Sequence, residues 1–165
     1  AGADIRYEAH LLKAKAAMAY DNYNLAFNEV ALIAQVNSEM GAEAKYIAAY
    51  IQYLRGNYKQ CEEIVFQLSD QVPSYENWVA KGFILLADNY VMMNNLFQAR
   101  ATLQSIIDNY EGAEITDIAK SKLDKITMTE QMATQQKKET KEEDVLFEQQ
   151  DIDYDKLFEE EKINE

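Results

Sequence analysis

Catalysis needs a nucleophile, a base or a metal ligand held beside its partners, and this chain holds few candidates. Its sole histidine is His10 and its sole cysteine is Cys61. A histidine base requires a nucleophile or an orienting carboxylate placed with it in a cleft, and no motif around His10 supplies one. Cys61 cannot form an internal disulfide, and a reactive thiol needs an accessible, electropositive setting. A phosphate-cradling glycine loop, a Cys/His pair at metal spacing and a G-x-S-x-G elbow are all missing. The runs Glu142–Asp144 and Glu159–Glu161 lack the spaced acids and the glycine of a calcium loop. They read as solvated faces, so no catalytic residue, metal or cofactor is expected. What remains is recognition chemistry. Tyr46, Tyr50 and Tyr53 follow i, i+4, i+7 spacing and share one helical face. Tyrosine joins apolar area to a polar tip, which suits a binding surface, although the same stripe also fits a core.

The elements that would carry such residues are helices. One proline and five glycines among 165 residues are too few for an all-β chain, which spends turn residues at every corner. Hydrophobic residues make up 48%, ample for one core, and good helix formers dominate. The net charge is −13. Residues 1–126 carry 16 acids against 11 bases, and residues 127–165 carry 13 against 5. Both parts would repel a phosphate backbone or an anionic bilayer surface. No apolar run approaches the length of a membrane span, so direct membrane insertion is not expected. No signal peptide is legible, and a start at Ala1 suggests a chain processed or cut from something longer.

Three segments repeat. Asp21-Asn22-Tyr23 is followed by Ala26, Val30 and Ile33; Gly56-Asn57-Tyr58 by Cys61, Val65 and Leu68; Asn94-Asn95-Leu96 by Ala99, Leu103 and Ile106. In each, a polar or glycine pair permits a tight turn, a large residue wedges into it, and a small residue lets two helices approach. This grammar resembles the tetratricopeptide repeat, a helix–turn–helix unit of about 34 residues. Phe83, Leu86, Ala87 and Tyr90 fit its first helix best. Ala48 and Ala49 fit it in the second repeat, and Ala14 in the first. Lys45 and Gln52, like His10 and Lys13, depart from the pattern. The resemblance implies an all-α fold: a right-handed α-solenoid of about three hairpins (about 7–40, 42–75 and 78–112) with a capping helix and an acidic tail.

The second and third repeats are separated by a longer linker, Asp70–Asn77. With Ile106–Gly112 it is similar to repeats of bacterial cell-envelope proteins, which implies a periplasmic setting. After Gly112, the spacing of Ile115, Ile118, Leu123 and Ile126 predicts an amphipathic capping helix over about 114–130, closing a repeat domain of residues 1–126. The stretch from Thr127 reads as a solvated helix extension or linker. Apolar residues then return among acids as Val145, Leu146, Phe147, Ile152, Tyr154, Leu157 and Phe158. Segment 145–163 is either a disordered acidic tail or a docking segment that folds onto a groove.

Repeats of this type bind peptides on the concave face formed by the first helix of each hairpin. By position, the resemblance assigns that lining to Leu11, Lys15 and Met18. It adds Tyr46, Tyr50, Tyr53 and Leu54, then Ile84, Asp88, Val91 and Met92. The basic, asparagine-rich carboxylate clamp of the family's chaperone-binding members is not assembled at Leu11, Lys15, Tyr46, Tyr50 and Tyr53. The expected partner is therefore an apolar or aromatic protein segment, with the chain's own tail or a second copy as candidates. A non-catalytic interaction scaffold is the first reading. A terminal structural or oligomerisation module of a longer array is the second, and an enzyme a remote third.

Overall fold

The computed structural model describes residues 2–160, apart from the side chains of Ala3 and of residues 141–160. Every element in it is a helix: α1 (Gly2–Ala19), α2 (Tyr23–Ala31), α3 (Glu39–Leu54), α4 (Tyr58–Ser69), α5 (Glu76–Met92), α6 (Leu96–Asn109) and α7 (Ala113–Glu160). From α1 to α6 each helix packs on the next, and α3 also touches both α1 and α5. The chain divides into two units between Leu123 and Asp124.

The three turns inside the hairpins are built alike, and the sequence says why. Asp21, Gly56 and Asn94 take left-handed backbone angles, with φ of 55°, 74° and 56°. In each turn the next amide reaches back five residues: Asn22 N to Ala17 O, Asn57 N to Gln52 O and Asn95 N to Tyr90 O. The left-handed residue donates three back, to Met18, Tyr53 and Val91. This double closure satisfies carbonyls that a helix end leaves open. Asn22 and Asn95 then cap the following helix, their side-chain oxygens accepting from Leu25 N and Gln98 N at 3.2 Å. Glycine, asparagine and aspartate are the residues that tolerate this conformation.

Burial repeats with the turns. Ala14, Ala49 and Ala87 on the first helices are 0–1% exposed, as are Ala26, Cys61 and Ala99 on the second helices. Val30, Val65 and Leu103 are no more exposed, and Ile33, Leu68 and Ile106 complete the core. The departures from the pattern are satisfied locally. Gln52 is buried but accepts from Asn57 Nδ2 at 2.9 Å. Lys45 donates to Gln71 at 2.8 Å, and Gln71 in turn donates to Asn37 at 2.8 Å. Asn37 also donates to Val72 O, so the long α4–α5 linker is tied to the α2–α3 loop. That loop passes close to α3: a Cβ on Gly41 would lie 1.8 Å from the Val36 carbonyl oxygen.

Two boundaries differ from the sequence reading. α1 begins at Gly2, ahead of the expected start near Tyr7. The last helix does not stop near residue 130 but continues to Glu160. From Ala113 onward the chain contains no glycine or proline to break it, and Gln, Lys, Glu and Met extend it. In the second unit Thr129, Thr134 and Thr140 bond back to the carbonyls four residues earlier, and residues 131–140 are exposed.

Candidate binding face

The expected lining residues fall into three environments. Leu11 is buried, at 6% exposure, in the core of the first hairpins, so its side chain serves packing. Met18 is half-buried against the same core. Lys15 is exposed and ties α1 to α3, its Nζ 2.6 Å from Glu43 Oε1. Asp88 is likewise paired, 2.7 Å from the Lys122 ammonium at the start of α7. Neither charge is idle.

Two of the three tyrosines meet each other. Tyr50 and Tyr53 stack with centroids 6.3 Å apart, and Tyr53 meets Tyr58 of α4 at 6.1 Å. Tyr46 instead turns to α5, its ring 5.6 Å from Trp78 and tilted by 42°. Burial pushes the Tyr46 and Tyr53 phenols above their ordinary range, and the Asp88 carboxylate adds to the rise in both. Toward the turns, Tyr50, Leu54, Val91 and Met92 keep 37–55% of their surface exposed.

Beside Tyr46 lies a cleft of about 500 Å³ between α3, α5 and the first turns of α7. Tyr46, Ile84, Tyr110, Ile115 and Ile118 make its apolar walls, with Asn77, Lys81 and Glu114 supplying polar groups. The Lys81 ammonium sits 4.4 Å from the Trp78 ring centroid, held by the negative face of the indole. A second cleft of about 670 Å³ opens between α5 and α6, lined by Val79, Ala80, Phe83 and Ile106 among others. Tyr110 and Gly112 border both. The Tyr110 ring lies against Gly112 where a Cβ would stand.

Of the lining read from sequence, Tyr46 and Ile84 meet in the first cleft. Lys81, Tyr110, Ile115 and Ile118, which also line it, and Trp78, which packs on Tyr46, were not among those residues. The i, i+3 spacing of Trp78 and Lys81 was the available signal for those two. Ile115 and Ile118 were legible as an apolar stripe of the capping helix, and the cleft uses one side of it. The side chains of Leu146, Phe147, Ile152, Tyr154, Leu157 and Phe158 lie outside the described residues.

The candidates for chemistry have structural surroundings. His10 Nδ1 lies 2.6 Å from Glu29 Oε2, and Lys13 Nζ lies 2.5 Å from Glu29 Oε1. This cluster joins α1 to α2 at the positions where the first repeat departs from its pattern. Cys61 is fully buried, and its thiol is pushed up to about 12 by burial and by the Glu62 charge. A thiol so protonated is a small hydrophobe. No cluster of three metal-ligating side chains occurs among the described residues, and none of their helices is long and apolar enough to cross a membrane. No known protein family matches the chain, and no curated protein is significantly similar to it.

Proposed function

We propose that the chain is a tetratricopeptide-type α-solenoid, right-handed, acting as a non-catalytic scaffold that binds a protein segment along its first-helix face. The observation that carries this reading is the cleft between α3, α5 and α7. Its walls carry Tyr46, Ile84, Tyr110, Ile115 and Ile118, its polar side chains include Asn77, Lys81 and Glu114, and Tyr46 also packs on Trp78. Ligand sites commonly combine apolar walls with a few placed polar groups in this way. Tyrosine and tryptophan are also the residues that most often dominate binding energy at protein interfaces. The partner this favours is a segment that inserts one aliphatic or aromatic side chain beside Tyr46 and runs on over Tyr50 and Met92.

A displayed library of random dodecapeptides tests the reading. Peptides enriched on the intact chain should bind the Ile84→Glu variant at least about tenfold more weakly, since a buried unpaired carboxylate costs more than 1.4 kcal/mol. Enriched peptides that bind both proteins equally, with Ile84→Glu folded by circular dichroism, would place recognition elsewhere.

A further inference from the structure

A stripe on α1 matches buried stripes on the later first helices and is itself uncovered. Ile5, Ala9, Leu12 and Ala16 follow i, i+4, i+7, i+11 spacing and face one side of α1. Ile5 is 68% exposed and Leu12 61%, and both alanines are exposed. The same register on α3 holds Met40, Ala44, Ile47 and Ile51, the last three buried. On α5 it holds Trp78, Gly82, Leu85 and Asn89, again with the last three buried. Ile115 and Ala119 repeat it, buried, at the start of α7.

Both helices of the hairpin before touch α3 and α5, the second helix the more extensively. α2 packs on α3, and α4 packs on α5. At Gly82, a Cβ would come within 3.3 Å of Leu68 and 3.4 Å of Val65, so the helices touch closely at this small residue. Ala9 and Ala44 stand in the register of Gly82 and offer the same close approach. The covering segments present aliphatic pairs three residues apart, Val30 of α2 with Ile33 just past its end, and Val65 with Leu68 on α4, all within 1% exposure.

We propose that Ile5, Ala9, Leu12 and Ala16 form a second docking face, whose occupant is an amphipathic helix with an aliphatic pair spaced like Val30 and Ile33 or Val65 and Leu68. In a second copy of this chain the corresponding pairs among the described side chains are not free. Val30 and Ile33, Val65 and Leu68 are already buried, and on α6 Leu103 and Ile106 are buried too. The face is separate from the cleft at Tyr46, and its occupation does not depend on peptide binding there.

The test adds a copy of Ser38–Tyr75 ahead of Ala3 in the full chain. A copied α4 and its linker then lead into α1 as the native ones lead into α5. The extended protein should unfold in one transition, with Tm raised by about 5 °C or more, and should bind less of an apolar-surface dye. Leu12→Glu should abolish most of that gain while barely changing the unextended chain, where Leu12 is exposed. A separate transition for the added hairpin would overturn the proposal, as would a gain that survives Leu12→Glu. A concentration-dependent dimer of the unextended chain that Leu12→Glu abolishes would also overturn it, assigning the face to a second copy.

Discussion

Glu29 shows how the residues that break the repeat pattern, His10 and Lys13, can still be structurally committed. Its carboxylate is 6% exposed and takes Lys13 and His10 from α1. The Lys13 hydrogen bond, then that of His10, holds its pKa below the usual carboxylate value against the opposing effect of burial. A carboxylate lowered in the folded state stabilises above its ordinary pKa, and that contribution fades as pH falls through the folded value. Glu29→Gln should therefore lower the urea midpoint at pH 7 by an amount equivalent to about 1–2 kcal/mol. At pH 3 the gap between variant and parent should narrow. A gap that widens in acid would show that the pairing is not the source of the effect. From sequence alone His10 and Lys13 looked like departures from the pattern. Their partner is 19 residues from His10 and on another helix, and spacing within one helix does not carry that information.

At the scale of elements, the turns were the most legible feature, because left-handed backbone selects for Gly, Asn and Asp. Gly56→Ala should cost about 1–2 kcal/mol, since a Cβ at φ 74° meets the following carbonyl. Asn94→Gly, at φ 56°, should be neutral or stabilising by a few tenths of a kcal/mol. Thermal melts of the two variants should move in opposite directions or differ by several degrees. Gly41 carries a second kind of constraint. Helix propensity alone favours alanine there by about 1 kcal/mol, yet the Val36 carbonyl oxygen stands 1.8 Å from the Cβ position. Gly41→Ala should therefore destabilise by about 2 kcal/mol or more, read as a fall in Tm. The sequence marked Gly56 as a turn residue but gave no sign of Gly41, whose constraint arises where a loop crosses a helix. The end of the last helix was left open for a different reason. A polar, glutamine-rich stretch without glycine or proline fits a linker or a helix extension, and only the observed continuation to Glu160 decides between them.

For the whole molecule, an all-helical chain with three equivalent hairpin turns was readable from recurring small and apolar residues. The small-residue and apolar positions of all three second helices are indeed buried. The candidate site was only half readable. Tyr46 and Ile84 could be placed by repeat position, whereas the cleft they share is closed by Tyr110, Ile115 and Ile118 from beyond the third hairpin. Leu11, at the repeat position equivalent to Tyr46 and Ile84, is buried, because the first hairpins fold their core around it. The central claim is that a protein segment binds along the first-helix face. Its most direct test is amide chemical-shift mapping of the full chain titrated with a library-selected dodecapeptide. The account predicts shifts concentrated at residues 46–54, 77–92 and 110–118. Shifts concentrated on α2, α4 and α6 instead would contradict it.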